Sequence, residues 1–119
     1  MRVLIVDDSR AARLALKKVL PASLRTNLIE VDGGADALRV CHEETIELMI
    51  LDLTMPGKDG YDVLEALQKA GRVPPTVVVS ADVQPLAAER VKALGALAFL
   101  KKWPTREQLE AVLVEAGLL

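Results

Sequence analysis

The sequence predicts an α/β fold, a parallel sheet covered by helices on both faces. Three observations carry that expectation. Five short aliphatic runs alternate with five segments of helical period, the runs are apolar throughout, and the connections between them are short. Strands buried on both faces read as continuous hydrophobic runs, and strict strand–helix alternation brings crossover helices with it.

The first strand is Val3-Leu4-Ile5-Val6, and Ala12, Ala15, Leu16, Val19 and Leu20 then share one helical face until Pro21. Asp7, Asp8 and Ser9 compete for the N-cap of that helix, whose Arg10, Arg13, Lys17 and Lys18 read as its wet face. A second strand over about 27–31 leads into the least marked helix, about 35–43, with Cys41 as a small core residue and His42 exposed. Leu48-Met49-Ile50-Leu51 is the third strand, followed by a helix with Val63, Leu64 and Leu67 inward and Gly71 as its stop. The fourth strand covers 76–79. Pro85 opens the next helix, Ala87, Val91 and Leu94 line it, and Gly95 ends it. Residues 97–100 form the fifth strand. Thr105 and Gln108 then make a capping box for a helix with Leu109, Val112, Leu113 and Ala116 inward and Gly117 past its end.

With 119 residues the chain is expected to be one domain, residues 1–119. Fifteen Lys and Arg against 17 Asp and Glu leave no electrostatic footprint for nucleic acid or an anionic membrane. The longest apolar stretch, 93–100, is too short to span a bilayer. Met1-Arg2 leads directly into the first strand, so no signal peptide is expected. A lone Cys41 fits a reducing compartment, and the expected location is the cytoplasm.

Polar residues gather at the carboxyl ends of these strands, where open sheets of this kind bind ligands. Asp7 and Asp8 follow the first strand, Asp52 the third, Ser80 the fourth, and Lys101-Lys102 the fifth. The second contributes nothing there, which suits an edge. Carboxylates held away from water need a cation or a proton. Two or three of them with waters suit Mg²⁺, while a hydroxyl and an ammonium opposite suit phosphoryl oxygens. A carboxylate can itself attack phosphorus to give an aspartyl phosphate.

Val6-Asp7-Asp8-Ser9, then Asp52 through Met55-Pro56-Gly57-Lys58-Asp59-Gly60, Ser80-Ala81-Asp82, and Gly95 through Phe99-Leu100-Lys101-Lys102 resemble the receiver domain of two-component response regulators, over residues 1 to about 117. The resemblance implies a flavodoxin-like, doubly wound (βα)5 sheet of order 2-1-3-4-5. It implies Asp52 as phosphoacceptor, with Mg²⁺ held by Asp8, Asp52 and the Thr54 carbonyl, and by Asp7 through water. Ser80 and a lysine would hold phosphoryl oxygens, and Phe99 would be the aromatic whose rotamer follows phosphorylation. Side chains alternate along a strand, so Lys101 and Lys102 point apart; Lys102, three residues after Phe99 as in the family, is the expected ligand. Thr54, Ala81 and Asp82 would tune dephosphorylation.

The family's proline after its lysine is replaced by Trp103, with Pro104 one place later. A cis bond before a non-proline residue costs about 3–4 kcal/mol. The expectation is therefore a trans Lys102-Trp103 bond, or a cis bond moved to Trp103-Pro104. Trp103 itself could anchor a partner or cover the fifth strand.

The expected function is a switch, not an enzyme. A sensor histidine kinase or phosphotransfer protein would phosphorylate Asp52, and the face of the fourth helix, fifth strand and fifth helix would control a separate downstream protein. A monomer or a weak phosphorylation-dependent dimer is expected, with no direct nucleic-acid or membrane partner. The alternatives are a degenerate or phosphorelay receiver acting as a docking module, or a receiver cut from a larger regulator. A phosphatase with an aspartyl nucleophile would want a second acid where Thr54 stands. A flavin carrier would not place Asp7-Asp8 against a phosphate.

Overall fold

A computed structural model describes residues 1–81 and 84–119. The element order is β1 (Val3–Val6), α1 (Arg10–Val19), β2 (Leu28–Val31), α2 (Gly34–Glu43), β3 (Leu48–Leu51), α3 (Gly60–Lys69), β4 (Thr76–Ser80), α4 (Ala87–Ala93), β5 (Ala98–Lys101) and α5 (Arg106–Glu115), with a short 3-10 turn at Ala22–Leu24. The five strands pair in parallel in the order β2-β1-β3-β4-β5. This is the flavodoxin-like arrangement that the resemblance implied.

Alternation along the strands builds two cores. Leu4, Val6, Met49, Leu51 and Val78 face α2, α3 and α4 through Ala37, Val40, Val63, Leu64, Leu67 and Val91. Val3, Ile5, Leu48, Ile50, Val77 and Val79 face α1 and α5 through Leu16, Leu20, Leu109 and Leu113. A strand buried on both sides has no polar alternative at any position, and β1 and β3 are apolar at all four residues.

Caps follow the sequence closely. Ser9 wins the N-cap of α1, its hydroxyl accepting from the Ala12 N–H at 3.2 Å. Thr105 and Gln108 form the expected capping box on α5, and Asp59 with Asp62 forms another on α3. Gly71 and Gly117 take positive φ (67° and 76°) just past α3 and α5, where a side chain would be strained. The carbonyls that α1 leaves open are met by Arg25, which donates to Leu20 O at 2.8 Å, and by Arg106, which donates to Lys18 O at 2.8 Å.

Three local expectations shift. Pro85 does not open α4; it lies in the turn before the N-cap Leu86, and the Ala87 N–H reaches back to Gln84 O at 3.1 Å. The last strand runs one residue later than its apolar run, because Ser80 pairs with Lys101 in the β4–β5 register. The Lys102-Trp103 peptide is cis, against the expectation of a trans bond or a cis bond at Pro104. Tertiary ties outweigh the local preference here. The Lys102 N–H is held by Ser80 O at 2.9 Å, Pro104 is buried, and Trp103 between them is exposed.

Gly34 starts α2 against the loop that leaves β3. A Cβ there would lie 2.5 Å from Lys58 O and 2.8 Å from Lys58 Cβ. Gly34→Ala is therefore expected to destabilise the fold by about 1–3 kcal/mol, the usual cost of forced overpacking. Urea unfolding at equilibrium measures it, and an unchanged midpoint would contradict the close packing.

Candidate functional site

The ladder carries the functional side chains to one spot. Past the paired residues Val6 and Leu51, Asp52 N–H bonds to Val6 O at 2.9 Å and Asp7 N–H to Val31 O at 3.2 Å. Asp7 continues the Val3–Ile5 alternation, Asp52 the Leu48–Ile50 alternation, and Lys102 that of Leu100, so all three project from the side of the sheet that α1 and α5 cover. Asp7 and Ser80 are fully buried, and Asp52 is 5% exposed.

Lys102 Nζ lies 2.8 Å from Asp7 Oδ2 and 3.7 Å from Asp52 Oδ1. The approach to Asp7 is close but not along a hydrogen-bond axis, so the buried Oδ2 has a counter-charge and no directed hydrogen bond. Asp7 Oδ1 accepts the Ser9 N–H at 2.9 Å, while Asp8 is exposed. Ligand oxygens of Asp7, Asp8 and Asp52 fall within 4.8 Å of one another. A hard cation that needs oxygen ligands and keeps some water fits this set, and Oδ2, ion-paired to Lys102 but without a directed hydrogen bond, keeps acceptor capacity for it.

The Asp52 carboxyl sits above the ordinary carboxylate range. Burial is the main cause, followed by the charge on Asp7; Lys102, the Ser80 hydroxyl and the Thr54 N–H pull the other way. Gly60 lets the chain pass behind this residue, since a Cβ there would stand 2.4 Å from Asp52 O. Its own N–H bonds to Leu53 O at 3.0 Å. In the sequence Gly60 stands out only as the last residue of the motif that begins at Asp52, and its close approach shows only when α3 is packed behind that residue.

Asp7, Asp8, Asp52, Ser80 and Lys102 thus converge as expected, and Lys101 is exposed and points away. Thr54 and Ala81 are exposed at the rim, Phe99 is half-buried against the α2–α4 core, and Asp82 lies outside the described residues. Trp103 does not cover β5: it is 60% exposed, its ring 5.3 Å from Lys102 Nζ. His42 is exposed as expected.

A sequence model of the response regulator receiver domain matches residues 3–114. The chain belongs to that family. This receiver is 41% identical over 106 residues to the sensory/regulatory protein RpfC of Xanthomonas campestris, covering 86% of the chain and 14% of RpfC. It is 34% identical over 86 residues to the chemotaxis protein CheY of Pseudomonas aeruginosa, covering 71% of the chain and 69% of CheY. Among solved structures, the receiver domain of a NarL response regulator from Mycobacterium tuberculosis matches with a TM-score of 0.81 at 28% identity, covering 98% of this chain and 94% of that one. The receiver thus spans about one seventh of RpfC, a small part of that protein's length. No helix among the described residues is long and apolar enough to cross a membrane.

A carboxyl whose pKa is raised by folding holds its proton more tightly when folded, so its ionisation lowers stability as pH rises above the unfolded value. Asp52→Asn removes that penalty. In metal-free buffer near pH 7 the variant is expected to be more stable than the parent, with the advantage shrinking on acidification as the parent's Asp52 takes up its proton. Urea unfolding over a pH series reads this, and a variant less stable at pH 7 would contradict it.

Proposed function

We propose that the receiver is a phosphorylation-controlled switch whose phosphoacceptor is Asp52. The observation that carries the reading is a carboxylate buried at a strand end with an ammonium, a hydroxyl and two further carboxylates around it. A phosphohistidine on a sensor kinase or phosphotransfer protein would be the donor. An Asp52 oxygen forms the new O–P bond, the donor N–P bond breaks, and the departing imidazole nitrogen keeps the electron pair and takes a proton from solvent. Bound Mg²⁺, held by Asp8, Asp52, the Thr54 carbonyl and, through water, Asp7, would offset charge on the phosphoryl oxygens. Lys102 and Ser80 then have new oxygens to hold.

The new charge of about −1.5 to −2 biases the loop after β4 and the half-buried Phe99, and so the α4–β5–α5 face read by a downstream protein. Thr54 and Ala81, exposed at the rim, flank the path of attacking water, and together with Asp82 they set the lifetime. The reading takes residues 1–119 as one receiver domain acting in the cytoplasm, a monomer or a weak phosphorylation-dependent dimer, with turnover confined to its own phosphoryl group. The greater length of RpfC supports a second reading, in which the chain is the receiver segment of a larger regulator.

Mixing the protein with Mg²⁺ and beryllofluoride or a small phosphodonor tests the switch. The expected result is a Mg²⁺-dependent change in Trp103 fluorescence and a mass gain of one phosphoryl group that Asp52→Asn abolishes. No response to Mg²⁺, or a mass gain that survives Asp52→Asn, overturns it.

A further inference from the structure

Two of the three clustered acids share one peptide unit, the bond that joins buried Asp7 to exposed Asp8. Its carbonyl oxygen, on Asp7, accepts a hydrogen bond from Arg13 Nη1 at 2.7 Å. The same guanidinium donates through Nε to Glu30 Oε1 at 3.2 Å, and Lys17 Nζ occupies the other Glu30 oxygen at 2.9 Å. The Arg13 side chain is only 16% exposed. Glu30 sits below the usual carboxylate range, first through the hydrogen bond from Lys17 and with help from Arg13, against a cost of burial. Arg13 and Lys17 are therefore not a plain solvated face. Strand β2, whose Val31 O already holds the Asp7 N–H, also reaches the site from its flank through Glu30.

We infer that Arg13 is a positioning residue for the cation site: it fixes the Asp7–Asp8 peptide, so that the Asp8 carboxylate stays turned toward Asp7 and Asp52, and Glu30 holds the guanidinium in place. The inference rests on the Mg²⁺ site proposed above and adds two residues to it that do not touch the ion. A planar fork suits the task, because one guanidinium can serve a carbonyl and a carboxylate at once while an ammonium is a point charge.

Charge and position predict opposite signs. A guanidinium beside an acidic cluster repels a divalent cation, so deleting it raises affinity for Mg²⁺ if charge is all it contributes. Deleting a support that orients a ligand lowers affinity, by about 10–100-fold in sites of this kind. An exposed ion pair with no such role would leave affinity unmoved.

Calorimetric titration of the whole chain with Mg²⁺ alone, together with urea unfolding in chelator, decides the question. Arg13→Ala is expected to bind Mg²⁺ about tenfold more weakly. Arg13→Lys, which keeps the charge and loses the fork, is also expected to bind more weakly than the parent. Glu30→Gln should fall between the parent and Arg13→Ala, and add nothing further when combined with it. Arg13→Ala that binds Mg²⁺ as tightly as the parent or more tightly overturns the inference, whatever happens to its stability. A parent protein that binds no Mg²⁺ overturns the proposed cation site and this inference with it, a result distinct from a parent that binds while Arg13→Ala matches it.

Discussion

One ammonium between two buried carboxylates is the constraint on which the site depends. Lys102 reaches Asp7 at 2.8 Å and Asp52 at 3.7 Å, and no second lysine or arginine among the described residues pairs with either carboxylate. Both carboxylates are shut off from water, so their mutual repulsion is poorly screened and a single cation has to serve both. The imbalance leaves its mark on Asp52, where burial and Asp7 together outweigh Lys102, Ser80 and the Thr54 N–H. The fold holds this arrangement by main chain more than by side chain. Asp7, Asp52 and Lys102 are each fixed by a backbone hydrogen bond to a neighbouring strand.

That backbone frame explains why small residues crowd around the site. The ladder brings the carboxylates close only if the loops behind them also close up. Gly60 leaves no room for a Cβ beside Asp52 O, and Gly34 none beside Lys58 O. The two capping boxes then start α3 and α5 directly after the β3 and β5 loops, so little free chain separates a ligand-bearing residue from a packed helix. Exposed Asp8, Thr54 and Ala81 are left at the rim on an otherwise buried floor.

Much of this was legible because burial on both faces leaves no ambiguity in an aliphatic run. Val3–Val6 and Leu48–Leu51 could be placed to the residue, and the acids that end them followed. Alternation made Lys101 and Lys102 point apart, and the family's spacing from Phe99 picked out Lys102. What escaped depends on contacts between distant segments. Glu30 reads as a polar residue of an edge strand until α1 is laid across it, and Arg13 as a solvated arginine until its fork is seen to reach Asp7 O. The Lys102-Trp103 bond escaped for the same reason: its neighbours are held by Ser80 O and a buried Pro104, and dipeptide preference contains neither. Pro85 was misplaced because a proline suits the turn before a helix as well as its first position.

The charge count gives the proposed chemistry its order. Asp7, Asp8 and Asp52 against Lys102 leave a formal excess of two negative charges, which one divalent cation would neutralise. Converting Asp52 to an acyl phosphate replaces one negative charge by about two, and so restores an excess of about one. The groups able to answer it are already at hand, Lys102 and the Ser80 hydroxyl, but they are engaged with Asp7 and Asp52. On that proposal, drawing them onto phosphoryl oxygens would pull on the ends of β4 and β5. Phe99, three residues before Lys102 on β5, packs on the opposite side of the sheet, against the α2–α4 core. A change of charge in the pocket under α1 and α5 thus has a short covalent route to the other layer, along one four-residue strand.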